Sequence, residues 1–187
     1  ISDVDLKSPI EIKKSYFEMP YFSCLKFVKK ELLTSNKIKF PSGLYYEDHP
    51  VHWELGLFAK KIAFIESEMY FYRLRANSIT AKQDIKLLDT FKHYEYVASK
   101  LSNHNDLKPV FNRKFSSSVW FVLMNVDDAH LRKALEMATQ FLEKPIFNWV
   151  VVDMANIKKF FLKLMLSPSN SIGFNTLKVA RFLRRLK

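Results

Sequence analysis

The chain has 187 residues, of which 48% are apolar, and its formal net charge is +11 at pH 7. This apolar content is enough for a hydrophobic core and excludes a disordered tail, and the length fits one domain or one and a half. With only 3 glycines and a single cysteine, Cys24, the sequence argues against a turn-rich β-sandwich, a Gly-rich phosphate loop, an internal disulfide and a multi-cysteine zinc site.

The first half of the chain predicts two helices and two short strands. Residues 1–22 are of mixed character and predict no element. Apolar side chains at helical spacing predict a helix over Ser23–Asn36, and a second helix is expected to begin at Asp48. A short apolar run predicts a strand at Ile62–Ile65, and alternating side chains predict another at Glu68–Arg75.

From residue 84 onward the apolar periodicity is helical throughout. The predicted helices are Asp84–Leu101, Val110–Met124, a helix capped by Asp127-Asp128 that holds Leu131 to Leu142, Asp153–Leu166 and Thr176–Lys187. Polar runs at 102–109 and 167–171 separate neighbouring helices. The change in character near residue 82 predicts a boundary between two units, 1–82 and 83–187.

The acidic pair Glu47-Asp48 lies in the most informative stretch of the chain, residues 40–80. That stretch reads FPSGLYYEDHPVHWELGLFAKKIAFIESEMYFYRLRANSIT. Its order of motifs resembles the back half of the catalytic domain of inverting glycosyltransferases of family 2. In that family a glyyED element supplies the catalytic base, and a YyYR-x-r-x-SIt element closes the domain. A third element, SCLKFVKKELL at 23–33, is similar to the family's W-x-K-l-f-r-r-e-l-L helix, although Ser23 or Cys24 stands where an aromatic residue is usual.

The resemblance implies a fold that is mainly α with a small β element. This would be the C-terminal part of a glycosyltransferase A-type α/β domain followed by a helical extension. Residues 1–82 would form the acceptor side of the catalytic domain, and 83–187 a helical domain with a basic amphipathic end. The half that binds the sugar nucleotide would be missing, so we expect this fragment alone to be inactive. A first residue other than methionine is consistent with a cut chain.

Asp48 is the candidate catalytic base and Glu47 its supporting carboxylate, as the resemblance implies. An inverting transfer needs a base that removes a proton from the acceptor hydroxyl as its oxygen attacks the anomeric carbon. The macrodipole and the free N–H groups at a helix N-terminus favour the ionised form of Asp48. The alternative is that Asp48 serves only as a helix N-cap. His49 and His52 flank this position, and histidines at such positions are mostly structural.

Five residues are candidates for substrate binding: Tyr46, Lys26, Arg73, Arg75 and Ser78. An arginine pair beside hydroxyl groups suits a diphosphate leaving group, whose negative charge grows in the transition state. The alternative is a solvated hairpin in which the arginines lie over tyrosine rings. Lys26 matches the lysine of the family's helix, and the alternative reading is an ordinary surface lysine.

A divalent metal, Mg²⁺ or Mn²⁺, is implied for the intact enzyme by the resemblance, with its ligands unknown. Family members hold the metal and the diphosphate with a D-x-D element. Asp3-Val4-Asp5 has that form, but only 42 residues separate Asp5 from Asp48, and nothing upstream of Asp3 could form the strand that presents it. We therefore assign no metal site to it and expect this fragment alone to bind none.

The C-terminal stretch 154–187 contains eight Lys or Arg residues and no acidic residue. Its apolar and cationic residues fall on different sides of a helix, which is typical of a helix lying on an anionic membrane surface. The alternative is a helix that packs on its own domain with solvated lysines. Nucleic acid is a less favoured partner, because no recognised binding motif accompanies the charge.

The predicted function is transfer of a sugar from a nucleotide-diphospho-sugar donor to a glycan or lipid-linked acceptor with inversion, in polysaccharide or lipooligosaccharide synthesis. The alternative is a non-enzymatic basic helical module that binds an anionic membrane surface or nucleic acid. The single cysteine, the absence of an apolar run of roughly 20 residues and the lack of a signal-peptide pattern indicate a cytoplasmic protein. The basic stretch 154–187 would allow it to lie peripherally on the inner face of the membrane. The oligomeric state stays open.

Overall fold

The computed structural model describes residues 9–65, 67–73, 84–153, 162–166 and 170–185. The chain divides into two compact units, Ile1–Ala81 and Lys82–Lys187. Each unit has its own buried apolar side chains, and each is described by itself.

The described residues of the first unit form three α-helices: α1 (Pro9–Glu18), α2 (Lys30–Ser35) and α3 (Asp48–Phe58). The structure confirms that a helix begins at Asp48. The predicted helix Ser23–Asn36 is wrong in its middle, because a 3₁₀ turn at Ser23–Leu25 is followed by non-helical residues 26–29 before α2 begins. The chain leaves the turn at Lys26, whose backbone is extended at φ −133° and ψ 129°.

Helix α1 packs against α3 through aromatic rings. Phe17 stacks on Trp53 with ring centroids 4.7 Å apart, and both side chains are almost fully buried. Gly56 permits this approach, since a Cβ at that position would lie 2.5 Å from the Phe17 ring. Lys13 Nζ also donates a hydrogen bond to the carbonyl of Leu57 at 3.5 Å.

Neither predicted strand forms among the residues that the structure describes. Residues 62–65 and 68–73 lie outside any regular element, so the strand predictions are wrong for them, and residues 74 and 75 lie outside the described ranges. A strand is stable only when its N–H and C=O groups pair with a neighbouring strand and one face is covered. The Phe71 side chain is instead 92% exposed.

The second unit is a helical bundle. A 3₁₀ turn (Ile85–Leu88) leads into α4 (Asp89–Lys100), followed by α5 (Lys108–Asn125) and α6 (Leu131–Glu143). These three helices confirm the predicted ones, and Asp127 Oδ1 accepts a hydrogen bond from the backbone N–H of His130, just before α6. A 3₁₀ turn (Pro145–Phe147) and helical residues at 162–165 precede α7 (Asn170–Arg185).

The core of this unit is a series of stacked rings. Phe115 stacks on Phe141 and Phe141 on Phe147, each with centroids 4.8 Å apart. Two buried polar side chains of α5 hold the segment after the bundle, since Asn112 Oδ1 accepts from the N–H of Val151 and Ser116 Oγ from that of Asp153. The packing of α5 thus determines where the chain runs as it leaves α6.

Helix α7 is longer than the predicted Thr176–Lys187, because it begins at Asn170. Part of the predicted turn at 167–171 is therefore helical, and residues 167–169 lie outside the described ranges, as does 154–161 of the predicted helix Asp153–Leu166. Among the described helices, none combines the length and the apolar character needed to cross a bilayer.

Candidate active site

A cleft of about 270 Å³ lies in the first unit, where α3 meets α2 and the segment before it. We call it the Asp48 cleft. Two charged side chains, Asp48 and Lys26, stand in a wall that is otherwise apolar, aromatic or neutral polar. The remaining lining residues are Tyr21, Ser23, Val28, Leu33, Phe40, Val51, His52 and Leu55.

Asp48 is placed in the cleft by its position as the first residue of α3. Its carboxylate accepts hydrogen bonds from its own backbone N–H and from that of Ser23, so it ties the 3₁₀ turn to the helix. Burial, followed by the nearby negative charge of Glu47, raises the pKa of Asp48 above its usual value, against the opposing effects of Lys26 and the two N–H groups. The sequence predicted that the helix N-terminus would favour the ionised form of Asp48. The pKa is raised instead, because desolvation of the carboxylate outweighs the effect of the N–H groups.

Lys26 lies at the same cleft with its ammonium group turned towards the loop before it. Its Nζ donates to the carbonyl of Pro20 at 3.1 Å and to that of Phe22 at 2.7 Å. Burial lowers the pKa of Lys26 to about 8, although the negative charge of Asp48 acts in the opposite direction. The structure therefore brings Asp48 and Lys26, two of the predicted site residues, to one cleft, with Lys26 half-buried.

Tyr46 and Glu47 form the turn that precedes α3. Tyr46 adopts φ +62°, a left-handed conformation that a non-glycine residue rarely occupies, and its carbonyl accepts the N–H of His49 at 3.1 Å. Such strained residues often occur at functional sites. Glu47 is exposed and is not part of the cleft wall, but its negative charge still raises the pKa of Asp48.

The two histidines of α3 are part of the packed core. His49 stacks on Tyr21 at 4.2 Å and His52 on Tyr16 at 4.4 Å, and the Tyr16 hydroxyl donates to the carbonyl of His52 at 3.1 Å. Burial raises the pKa of Tyr16, which keeps its hydroxyl protonated as a donor. These contacts support the interpretation that His49 and His52 have a structural role. Tyr16 and Tyr21 were missed, because residues 1–22 show no periodicity that would indicate their partners.

The arginine-bearing segment is described only in part. Arg73 is exposed and does not belong to the described lining of the Asp48 cleft, and Arg75 and Ser78 lie outside the described residues. Tyr72 stacks on Phe22 with centroids 5.5 Å apart. The residue before Arg73 is therefore held against the loop whose carbonyls receive Lys26.

The described residues do not fit the divalent metal that the resemblance implies. No group of three His, Cys, Asp or Glu side chains that could hold a metal occurs within the described ranges. The positive charge of Lys26 acts on Asp48 and opposes a cation beside that carboxylate. Asp3 and Asp5 lie outside the described ranges.

The chemical capability of the cleft follows from these contacts. A partly buried carboxylate with a raised pKa is a better proton acceptor than a free aspartate, provided that it is ionised at working pH. Lys26 favours that ionised form, whereas burial and Glu47 disfavour it. The cleft thus offers one base beside an apolar and aromatic wall.

Comparison with known proteins finds a relative of the chain in one enzyme class. No protein-family profile matches the chain, and no solved structure matches it. The chain is 30% identical over 109 residues to glycosyltransferase GlyG of Streptococcus pneumoniae serotype 4, an alignment that covers 58% of this chain. The same alignment covers 30% of GlyG, so the chain spans under a third of that relative's length. The chain is therefore related to a glycosyltransferase.

Proposed function

We propose that the intact protein is an inverting glycosyltransferase of the family 2 type, with Asp48 as its general base. The donor would be a nucleotide-diphospho-sugar and the acceptor a hydroxyl of a glycan or a lipid-linked glycan. The single observation that supports the proposal best is the position of Asp48, a carboxylate of raised pKa in the wall of a 270 Å³ cleft. The relationship to GlyG supports the enzyme class.

The proposed reaction is one displacement at the anomeric carbon. The acceptor oxygen forms a bond to that carbon from the face opposite the leaving group, while the bond between the carbon and the diphosphate oxygen breaks. The hydroxyl proton moves to the Asp48 carboxylate, and the nucleoside diphosphate leaves with the bonding electron pair. The positioned base contributes on the order of 10² to 10⁴ in rate.

Lys26 and Glu47 adjust the base in opposite directions. The ammonium group of Lys26 acts to lower the pKa of Asp48 and so favours the ionised carboxylate, whereas Glu47 raises that pKa and makes the carboxylate more basic. Because two hydrogen bonds from Lys26 Nζ go to backbone carbonyls, at most one N–H of this ammonium is left for a substrate oxygen. We therefore propose that Lys26 acts mainly by positioning the 20–26 loop and by its charge.

The leaving diphosphate is assigned to the arginine-bearing segment. Arg73 is exposed and follows Tyr72, which stacks on the loop beside the cleft. Arg75, Ser78 and Tyr46 complete the proposed substrate contacts. Since this chain corresponds to 30% of GlyG, the complete reaction is proposed for the intact protein rather than for these residues alone.

A matched pair of variants tests the proposal. Asp48→Asn in the full-length protein removes the base but keeps a side-chain oxygen that can accept the N–H of Ser23. Asp89→Asn is the control, because Asp89 is likewise the first residue of its helix, α4, in the other unit. Sugar transfer from a panel of nucleotide-diphospho-sugars should fall about 10²- to 10⁴-fold in the first variant only. Full activity in Asp48→Asn would exclude this carboxylate as the base.

A further inference from the structure

Helix α7 has one face that is buried in the second unit. Leu177 is fully buried, and Ala180 and Arg181 are at least nine-tenths buried. Gly173 sits so close to the chain at Met165 that an added Cβ would lie 2.3 Å from the carbonyl oxygen. These contacts fix the rotation of α7 about its own axis, and so determine which of its side chains face solvent.

The opposite face of α7 carries large apolar side chains that nothing in the described structure covers. We call it the α7 strip; it consists of Ile172, Val179, Phe182 and Leu183, each between 49% and 62% exposed. At about 100° per residue these positions fall within an arc of roughly 100° on one side of the helix. The strip is therefore continuous along the helix and not a scatter of single exposed residues.

Cationic groups lie next to this strip. Lys178 is exposed and lies about 40° beyond Phe182 around the helix axis, with its Nζ 4.7 Å from the centroid of the Phe174 ring. The Arg132 guanidinium of α6 lies 4.4 Å from the same centroid. The nearby carboxylate of Asp128 is already paired with Arg181 at 3.1 Å. Lys178 thus places one positive charge at the edge of the strip, and Arg132 places a second on the Phe174 ring beyond that edge.

We propose that the α7 strip lies on an anionic lipid surface, with its apolar side chains at the level of the upper acyl chains and with Lys178 and Arg132 at the lipid phosphates. The combination of an exposed apolar strip with flanking cations is the arrangement that binds such an interface, and each cation near it strengthens binding roughly fivefold. The inference does not depend on the proposed sugar transfer, because it rests on the second unit alone.

Charge complementarity distinguishes this occupant from the other candidates. A second copy related by two-fold symmetry would bring the Lys178 ammonium groups of both copies to the same contact, and α7 contains no carboxylate to compensate them. A nucleic acid would meet four large apolar side chains in the middle of the contact, where phosphates gain nothing. An anionic bilayer satisfies both the apolar and the cationic groups.

Vesicle sedimentation of the full-length protein tests the proposal. Vesicles of phosphatidylcholine alone are compared with an equimolar mixture of phosphatidylcholine and phosphatidylglycerol, at low and at high salt. The double variant F182S/L183S should lower the apparent vesicle affinity at least about tenfold, because it removes two inserted side chains. The control is Ile146→Ser, because Ile146 is a similarly exposed apolar residue in the 3₁₀ turn that follows the C-terminus of α6.

Two charge-reversal variants complete the test. Lys178→Glu should weaken binding to the mixed vesicles several-fold, whereas Lys100→Glu, with the same change of charge in the last turn of α4, should leave it nearly unchanged. Four results would overturn the proposal: no vesicle binding, equal binding to both kinds of vesicle, binding that F182S/L183S leaves unchanged, or a solution dimer that the same double variant dissociates. Salt-sensitive binding to duplex DNA without vesicle binding would identify nucleic acid as the partner of the strip and would likewise overturn the proposal.

Discussion

Lys26 and Asp48 lie in the wall of one cleft, and each alters the proton affinity of the other. The ammonium group favours the ionised carboxylate, and the carboxylate favours the protonated ammonium, but burial opposes the charge on both. Burial outweighs the attraction between the two groups, so the pKa of Asp48 is raised and that of Lys26 is lowered to about 8. Such opposed shifts in a cleft are typical of functional sites, although ion pairs of purely structural role also show them.

Glu47→Gln should move the acid limb of the pH–rate profile to lower pH. The negative charge of Glu47 disfavours ionisation of Asp48, so its removal lowers the pKa of the base. Measurement of kcat/KM across the acid range in the full-length enzyme checks this, since that ratio reports the free enzyme. Glu54→Gln, a change in the same helix α3, serves as the control. An acid limb that does not move would mean that Glu47 has no electrical influence on the base.

Lys26→Met should move the same limb in the opposite direction, to higher pH. The substitution removes the positive charge that favours ionised Asp48, and it also removes two hydrogen bonds to backbone carbonyls. Because each such bond to a charged donor contributes on the order of 1 kcal/mol, we expect a loss of stability as well. Lys29→Met, an exposed lysine three positions later, should change neither the profile nor the unfolding midpoint.

Asp48→Asn is expected to raise the thermal unfolding midpoint at neutral pH. The folded-state pKa of Asp48 lies above its unfolded value, so the stability linked to this group is fully present below the unfolded pKa and is lost as pH rises through the folded one. Removing the charge restores that stability, and the gain should disappear in acid, where the wild-type carboxylate is protonated. Calorimetry at both pH values measures it.

Asp89→Asn should change the stability in the opposite direction from Asp48→Asn. Asp89 opens α4, where its carboxylate receives a hydrogen bond from Lys92 at 3.0 Å, so its loss should lower stability by about 0.3–1 kcal/mol. A decrease of similar size in both variants would show that Asp48 acts only as an ordinary helix-end carboxylate.

Gly56→Ala should destabilise the first unit despite the higher helix propensity of alanine. The added Cβ would lie 2.5 Å from Phe17 and 2.7 Å from Tyr16, and neither ring can withdraw easily because both are buried. Overpacking of this kind costs about 1–3 kcal/mol, against a propensity gain of roughly 1 kcal/mol. Urea unfolding measures the difference.

A second substitution separates steric crowding from other causes. Phe17→Leu removes the two nearest ring atoms that the new Cβ would meet and leaves the Tyr16 ring in place, so the double variant G56A/F17L should be more stable than the sum of the two single changes predicts. Additive losses would show that the cost of Gly56→Ala does not come from that contact.

The sequence by itself determined the elements whose signals are local. Apolar residues at helical spacing gave the positions of α4, α5 and α6, and an aspartate with a proline two residues later gave the first residue of α3. Asp48 and Lys26 were candidates from the sequence because the motifs around them resemble a known order. Each of these signals is written in the order of residues along the chain, so it can be recognised without knowledge of its contacts in the fold.

Tertiary structure alone decided the features that depend on residues far apart in the chain. Residues 26–29 are not helical although their pattern is, and the 3₁₀ turn before them is held through the N–H of Ser23 by the carboxylate of Asp48, a distant residue in the sequence. The strand patterns at 62–65 and 68–73 form no strand in the described structure, since a strand needs a neighbour that periodicity cannot supply. The raised pKa of Asp48 likewise comes first from burial, and burial is a property of the folded chain and not of any local motif.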